Sequence, residues 1–363
     1  MPDGLGTSSL RLLMTTDAVG GVWRYSVDLA EGLAAHDVQT VLAVLGPAAG
    51  RMQRVEAEAV PGLRLVNTGL PLDWTAKAPA ELDRASERLA SLAALVGAGG
   101  IHLHAPALVG AVRWPAPVVA VAHSCVATWW RAVRGGAMPD DFAWRAAATR
   151  AGLVAADAVI APTAAHGRAI EAVYGPISVQ VVHNGSRPRR AKAQRQPAVL
   201  TAGRLWDEGK AVAWLDRAAA ELGAPVLAAG PTRGPDGSAA SFDHLQLLGA
   251  LGPDALAQKY DSATVFASMA RYEPFGLAVL EAAQAGMALV LSDTAGFREL
   301  WDDAAIFVAA EADLRPALQQ ALAGPGFWAA RAQARAGQYT IERMAAGTLD
   351  VHRNVRCNVW ATA

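Results

Sequence analysis

The sequence has few cysteines, few lysines and no long apolar run. Its two cysteines, Cys125 and Cys357, lie far apart, so neither a disulfide framework nor a cysteine metal site is expected. No apolar stretch is long enough to cross a bilayer, and residues 1–14 lack the extended apolar region of a signal peptide. A net charge of -1 provides no basic field, which argues against nucleic acid as the main partner. These absences predict a soluble, cytoplasmic protein that is not integral to a membrane.

The sequence does contain enough apolar material for two domains. It has 363 residues, of which 53% are hydrophobic and 18% charged, and this length exceeds that of one ordinary domain. Strand-like apolar runs alternate with helical patterns in both halves, which predicts an α/β fold with parallel sheets. The basic, proline-containing segment 187–197 interrupts the alternation and is typical of a linker. We therefore predict an N-terminal domain over residues 1–186 and a C-terminal domain over residues 187–339.

The most informative stretch is residues 271–300, where two glutamates flank a predicted helix start. Glu273 precedes Pro274, which favours an extended backbone, and an apolar helical pattern begins after Gly276. The amides and dipole at such a helix start bind phosphate or sugar hydroxyls. Because carboxylates repel phosphate, Glu273 and Glu281 suit the hydroxyls of a sugar or a ribose. Two ordinary surface glutamates are the alternative.

A second candidate site combines two cations early in the C-terminal half. Arg204 and Lys210 flank a loop that follows a predicted strand, and only four of the 32 basic residues of the chain are lysines. At a strand end facing the amides near Gly276, the two cations would surround a diphosphate and neutralise its charge. The alternative is that Arg204 pairs with Asp207 or Glu208 at the surface.

Two strand ends in the N-terminal half carry glycine and histidine. A buried strand leads into Gly20 and Gly21 at the start of a helix, and this arrangement forms a ligand crevice in open α/β sheets. The G-x-G-x-x-G fingerprint is absent, so a nicotinamide site is not supported, and a simple tight turn is the alternative. His123 follows another buried strand and is a candidate for the site. A nucleophilic Cys125 paired with His123 would lack a third, orienting group.

Other side chains of this half suit the recognition of an acceptor. His102 and His104 share one face of a strand, but no third ligand stands nearby, so no metal site is expected. Trp129 and Trp130 offer aromatic faces for stacking, and Arg131 can hold an anionic group. We expect an acceptor-binding segment here; peripheral membrane contact is the alternative.

The segment Glu273-Pro274-Phe275-Gly276-Leu277, followed by Glu281, resembles the E-x7-E motif of retaining glycosyltransferases of the GT-B fold, and specifically of glycosyltransferase family four. Further similarities lie in the hinge-like residues 183–185, in residues 203–210, and in Gly296 with Glu299. In residues 203–210 a glycine precedes Lys210 instead of following it. The resemblance implies two doubly wound, Rossmann-like domains facing each other across a cleft. It also implies that a C-terminal helix over residues 340–363 returns to the N-terminal domain.

The residue chemistry and the resemblance together assign the candidates to three groups. The residues expected to act in catalysis are Glu273, Arg204, Lys210 and His123. The residues expected to bind the donor are Gly20, Gly21, Phe275, Gly276, Leu277 and Glu281. The residues expected to bind the acceptor are His104, Trp129, Trp130 and Arg131. No metal ligand and no cofactor is expected, because the chain contains no Asp-x-Asp sequence, the metal-binding signature of the other major glycosyltransferase fold.

The function that the resemblance implies is a metal-independent, retaining glycosyl transfer. The donor would be a nucleotide-diphosphate sugar, with a UDP-sugar favoured, and the acceptor a soluble small molecule or glycan that receives a hexose-type sugar. The leaving phosphate would assist deprotonation of the acceptor. Two alternatives stay open: another GT-B nucleotide-sugar enzyme such as an epimerase, and a non-catalytic nucleotide-sugar-binding subunit. The combination of Arg204, Lys210, Glu273 and Glu281 argues against the second, and the sequence leaves the oligomeric state open.

Overall fold

Two parallel sheets, one in each half of the sequence, form the framework of the protein. The computed structural model describes residues 10–110, 112–188, 195–234 and 237–362, and within these ranges the first sheet has seven strands and the second has six. The strands are β1 (Arg11–Asp17), β2 (Gln39–Leu45), β3 (Leu63–Asn67), β4 (Gly100–Leu103), β5 (Val118–Val121), β6 (Ala158–Ala161), β7 (Val179–Val181), β8 (Gln196–Ala202), β9 (Val226–Ala229), β10 (Gln246–Gly249), β11 (Ala263–Ser268), β12 (Ala288–Ser292) and β13 (Ile306–Val308).

Helices connect the strands and cover the sheets. They are α1 (Gly21–Ala34), α2 (Arg51–Glu58), α3 (Pro79–Leu95), α4 (Val126–Val133), α5 (Asp140–Ala155), α6 (Ala164–Tyr174), α7 (Val212–Ala219), α8 (Pro253–Ser262), α9 (Leu277–Gln284), α10 (Ala295–Trp301), α11 (Arg315–Ala323), α12 (Pro325–Ala336) and α13 (Ile341–Thr362), with short 3-10 helices at Pro106–Leu108 and Glu208–Lys210. Because helices cover both faces, the central strands are buried along most of their length. Leu12, Leu13 and Met14 of β1 have no exposed surface.

Both sheets are doubly wound. The strand order is β3-β2-β1-β4-β5-β6-β7 in the first sheet and β10-β9-β8-β11-β12-β13 in the second. The order reverses once in each sheet, between β1 and β4 and between β8 and β11. Crevices at such reversal points, beyond the carboxyl ends of the strands, are where open α/β sheets bind ligands. The predicted fold of two Rossmann-like α/β domains is confirmed.

The last helix returns to the N-terminal half. Met344, Ala345 and Leu349 of α13 share an apolar core with α1 and the first strands. The chain therefore passes between the halves twice, and the two passages lie side by side. The amide of Ser186 donates to the carbonyl of Tyr339 over 3.2 Å, and Ser186 forms a parallel bridge with Thr340.

Substitution of Gly185 by alanine is expected to destabilise this double passage. A Cβ at Gly185 would lie 2.1 Å from the carbonyl oxygen of Thr340, so backbone would have to move. Overpacking of this kind lowers the free energy of unfolding by about 1–3 kcal/mol, which urea denaturation would measure. Gly326→Ala is the matched control, since a Cβ at Gly326 meets nothing within 4 Å. Equal stability of Gly185→Ala and the wild type would contradict the prediction.

The structure differs from the sequence prediction in some connections. The sequence patterns do not indicate α2 or α5, because α2 is short and largely exposed and α5 is an alanine-rich helix without a clear apolar stripe. The predicted linker at residues 187–197 ends inside β8, which begins at Gln196. Residues 189–194 of that linker lie outside the described part of the chain, so the boundary at residue 187 stays a prediction.

Candidate functional site

A pocket lies at the reversal point of the second sheet, beyond the carboxyl ends of β8 and β11. The loop after β8 and the start of α9 form its walls. Its lining consists of Thr201, Ala202, Gly203, Arg204, Leu205, Lys210, Val212, Phe266, Ser268, Glu273, Ala278 and Val279. The structure therefore brings together three of the residues predicted to act in catalysis, Arg204, Lys210 and Glu273, although they lie up to about 70 positions apart in the sequence.

Lys210 and Glu273 form an ion pair in this pocket. Nζ of Lys210 lies 2.5 Å from Oε2 of Glu273, and the two side chains are only 21% and 18% exposed. Lys210 ends the 3-10 helix Glu208–Lys210, and Glu273 lies in the loop that leads to α9. A charged hydrogen bond shielded in this way is stronger than a surface ion pair. The pair fixes a positive and a negative group at opposite walls of the pocket.

Arg204 lines the pocket and also forms the ion pair that the sequence left open as an alternative. Its Nη2 lies 2.9 Å from Oδ2 of Asp207, and its side chain is 56% exposed. The guanidinium also lies 5.7 Å from the ring centroid of Trp206. Because a guanidinium has five N–H donors, pairing with Asp207 does not exhaust its capacity for further anions.

The start of α9 is shaped by Gly276. This residue caps the helix with a φ of 91°, a conformation that disfavours side chains. A Cβ at Gly276 would also lie 3.3 Å from Cγ of Glu273. Below the loop, the ring of Phe275 is buried against those of His183 and Tyr339. The helix therefore begins directly beside Glu273, and its dipole adds partial positive charge to the pocket.

Glu281 is not among the described residues that line the pocket. Its charge contributes to the raised pKa of Asp28 in α1. The pKa of Asp28 is raised to about 6, mainly by burial; the charges of Arg24 and Arg187 oppose the rise, and those of Glu31 and Glu281 add to it by smaller amounts. Glu281 therefore lies close enough to Asp28 of α1 for the two charges to interact, and its binding of ribose stays a prediction.

The glycine turn of the first sheet lies opposite α9. Oδ1 of Asp17 accepts hydrogen bonds from the amides of Val19 and Gly20, at 2.8 and 2.9 Å, which fixes the turn after β1. The next residue, Gly21, begins α1, and a Cβ there would lie 3.8 Å from Cδ1 of Leu277. The carboxyl-end loops of the two sheets thus meet across a narrow cleft.

The two candidate histidines lie together in the N-terminal half. The rings of His104 and His123 are 4.9 Å apart, and the ring of Tyr25 lies 4.5 Å from that of His123. Burial, and to a lesser degree the nearby His166, lowers the pKa of His123 to about 3. Burial likewise lowers the pKa of His104 far below its usual range. Both imidazoles are therefore neutral at neutral pH and can offer a hydrogen bond but no charge.

The predicted acceptor residues on α4 point in different directions. The indole Nε1 of Trp129 donates to Asp207 over 3.1 Å, whereas that of Trp130 donates to the carbonyl of Gly135 over 3.1 Å. Arg131 donates to the carbonyl of Ala172 over 2.9 Å. Of these three hydrogen bonds, the one from Trp129 reaches the C-terminal half. Acceptor binding by the three residues stays a prediction.

Cys125 serves as a helix cap. Its Sγ accepts the amide of Thr128 at the start of α4 over 3.4 Å and the hydroxyl of Tyr174 over 3.1 Å. The thiol is thus occupied by structural hydrogen bonds, which does not support a nucleophilic role. No group of three or more His, Cys, Asp or Glu side chains in the described ranges is arranged to hold a metal ion.

Several contacts between the halves have no signal in the sequence. The hydroxyl of Thr163, which caps α6, donates to the carbonyl of Pro274 over 2.9 Å. The carboxylate of Glu299 accepts the amides of Ala164 and Ala165 at the same helix start, over 2.8 and 2.7 Å. A carboxylate at a helix N-terminus is favourable. The first bond ties the loop that carries Glu273 to the N-terminal half, and the other two tie α10 to the same helix start.

No helix in the described part of the chain is both long and apolar enough to span a bilayer.

Two family comparisons match consecutive parts of the chain. The sequence model described as Glycosyltransferase Family 4 matches residues 19–190, and the one described as Glycosyl transferases group 1 matches residues 196–324. No curated protein sequence matches.

Solved structures share the whole fold at low sequence identity. Sucrose-phosphate synthase from Thermosynechococcus elongatus aligns with a TM-score of 0.80 at 19% identity, covering 98% of this chain and 100% of that one. Anabaena Alr3699/HepE in complex with UDP and glucose aligns with a TM-score of 0.70 at 15% identity, covering 95% of this chain and 100% of that one. WaaG, a glycosyltransferase involved in lipopolysaccharide biosynthesis, aligns with a TM-score of 0.70 at 14% identity, covering 94% of this chain and 99% of that one. From its two family matches and its fold, the chain is a glycosyltransferase of the GT-B fold and of the family-four type.

Proposed function

We propose that the protein transfers a hexose-type sugar from a nucleotide-diphosphate sugar to a soluble acceptor, with retention of configuration and without a metal ion. The observation that carries this proposal is the pocket in which Lys210 pairs with Glu273 beside the start of α9, with Arg204 in the same wall. Two cations and a helix N-terminus suit a diphosphate, and a carboxylate suits sugar hydroxyls.

The charge balance of the pocket indicates how the donor would bind. Lys210 pairs with Glu273 and Arg204 pairs with Asp207, so the four side chains sum to no net charge. An entering diphosphate would accept hydrogen bonds from Lys210 and Arg204 in place of these two carboxylates. Glu273 would then accept hydrogen bonds from the sugar, and Glu281 would bind the ribose. The neutral imidazole of His123 would lie near the sugar.

In the reaction, the bond between the anomeric carbon and the diphosphate oxygen breaks. A bond from the acceptor oxygen forms on the same face, and the acceptor proton passes to the leaving phosphate. Arg204, Lys210 and the start of α9 would stabilise the charge that develops on the diphosphate. Closure of the two halves would exclude water and limit hydrolysis of the donor.

Nucleotide release from a panel of sugar nucleotides tests the proposal. We expect release from one donor, UDP-glucose being the first to try because one similar structure holds UDP and glucose. Release should require an acceptor from a panel of hexoses and hexose phosphates, and EDTA should leave the rate within about twofold. NMR of the product should show the anomeric configuration of the donor.

Other outcomes of the same assay would contradict the proposal. Turnover of the donor without any acceptor indicates an epimerase or another nucleotide-sugar enzyme. Binding of a sugar nucleotide without turnover, across the whole acceptor panel, indicates a non-catalytic subunit. Loss of activity in EDTA with recovery in Mg²⁺ would remove the metal-independent mechanism.

A further inference from the structure

Helix α4 of the N-terminal half contacts both loops that form the donor pocket. The hydroxyls of Thr128 and Tyr272 share a hydrogen bond of 2.8 Å, and the amide of Cys125 donates to the same Tyr272 hydroxyl over 3.2 Å. Tyr272 directly precedes Glu273. Trp129 reaches the other wall, the segment of residues 204–210, which we call the cation loop because it begins with Arg204 and ends with Lys210.

The carboxylate of Asp207 connects Trp129 to the cation loop. Its Oδ1 accepts the indole N–H of Trp129 over 3.1 Å and the amide of Gly209 over 2.9 Å. Its Oδ2 accepts Arg204 over 2.9 Å. The Asp207 side chain is only 8% exposed, so water cannot readily replace a lost donor. Removal of one donor would therefore shift this carboxylate and the groups bound to it.

Gly209 brings the cation loop close to both neighbours. A Cβ at this position would lie 2.7 Å from Nε1 of Trp129, so the indole packs directly on the loop backbone. The carbonyl of Gly209 accepts the amide of Arg271 over 2.8 Å. Arg271 is two residues before Glu273. A displacement of the indole would therefore reach both Lys210 and Glu273 through the backbone.

The other bond from α4 to the cation loop is weaker. Arg134 pairs with Glu208 at 2.7 Å, but the two side chains are 50% and 56% exposed. Exposed ion pairs contribute little. The shielded bond between Trp129 and Asp207 is thus the stronger link from α4 to this loop.

We propose that Trp129 is a positioning residue, which through Asp207 aligns Arg204 and Lys210 when the two halves close. The proposal rests on the proposed function for its effect on transfer. Before closure, the cation loop would lack the indole donor and its cations would be poorly placed for the diphosphate.

The test compares Trp129→Phe, which keeps an aromatic ring and removes the N–H, with Trp114→Phe as the matched control. The indole of Trp114 donates to the carbonyl of Val109 over 2.9 Å, away from the pocket. For Trp129→Phe we expect kcat to fall about tenfold, the effect of one lost hydrogen bond to a charged group. The donor KM should change less than about threefold, because the donor binds before closure. Hydrogen exchange of the amides in residues 204–210 should accelerate by about tenfold in this variant alone.

A double-mutant cycle separates positioning from a general loss of packing. If Trp129 acts through Asp207, the double variant with Asp207→Asn should lose about as much kcat as Asp207→Asn alone. Independent, multiplicative losses would overturn the proposal, and so would unchanged exchange of the cation loop. A kcat equal to that of Trp114→Phe would also overturn it. If the wild type transfers no sugar at all, the proposed function fails, and hydrogen exchange alone then decides whether Trp129 holds the loop.

Discussion

Lys210→Ala is expected to lower kcat for glycosyl transfer by about 10²–10³-fold, the effect of removing one preorganised group that stabilises developing charge. Lys210 is the less exposed of the two cations in the pocket, and its ammonium contacts Glu273 directly. The substitution removes a positive charge and also leaves the Glu273 carboxylate without its counter-charge, so that it would repel the diphosphate. We therefore expect the donor KM to rise as well.

Two further variants make this expectation specific. Lys77→Ala removes an exposed lysine near the start of α3 and should leave kcat and KM unchanged. Lys210→Arg keeps the charge but not the shape of the ammonium, so it should recover only part of the rate. Steady-state kinetics with the donor found in the release assay provides the measurement. A Lys210→Ala enzyme with more than a tenth of wild-type kcat would contradict the assigned role.

Acidification is expected to destabilise the protein strongly between pH 7 and pH 5. Five histidines of the N-terminal half and α13 have buried ring nitrogens: His102, His104, His123, His166 and His352. Burial lowers the pKa of each, to about 3 for His123 and about 4 for His166 and His352. They are joined in part by direct contacts, since Nδ1 of His102 lies 3.1 Å from Nε2 of His352.

The direction of the effect follows from proton uptake. In the unfolded chain these histidines titrate near pH 6.5, whereas in the folded chain they stay neutral to much lower pH. Below pH 6.5 the unfolded state therefore binds more protons, and each histidine lowers the free energy of unfolding by up to about 1.4 kcal/mol per pH unit. This loss continues until the pH reaches the folded pKa values. Asp28 and Asp73 work in the opposite direction, because burial raises the folded pKa of each, but they are two groups against five.

The summed loss is comparable with the whole stability of the protein. Over the interval from pH 7 to pH 5, five histidines together remove about 5–10 kcal/mol, and domains typically have about 5–15 kcal/mol in total. Urea denaturation at half-unit pH steps would measure the loss. His352→Gln should reduce the slope of the free energy of unfolding against pH by the equivalent of about one proton. His244→Gln, at an exposed position, should leave that slope unchanged. A free energy of unfolding that is equal at pH 7 and pH 5 would contradict the prediction.

The sequence predicts the fold and the core of the pocket for one physical reason. Parallel strands end at the same edge of a sheet, so Arg204 and Lys210 after β8 and Glu273 after β11 must approach one another once the strands are identified. The start of α9 at Leu277 follows equally from the proline and glycine before it. These features depend on local patterns and on one topological rule.

Contacts between the two halves could not be predicted in this way. Trp129 and Asp207 are 78 positions apart, and His102 and His352 are 250 apart. Their meeting depends on how one sheet is placed against the other and on where α13 returns. No periodicity or spacing records that placement. The same reason explains why the proximity of Glu281 to Asp28 of α1, and its absence from the pocket lining, have no signal in the sequence.

The paired passages of the chain at Ser186 and Thr340 limit how the enzyme can open. A single connecting segment would let each half rotate freely about the axis of that segment. Two adjacent segments joined by a hydrogen bond and a bridge instead form a hinge, which allows rotation about one axis and resists twisting about others. Each closure of the two halves should therefore bring Trp129 back to the same position on the cation loop.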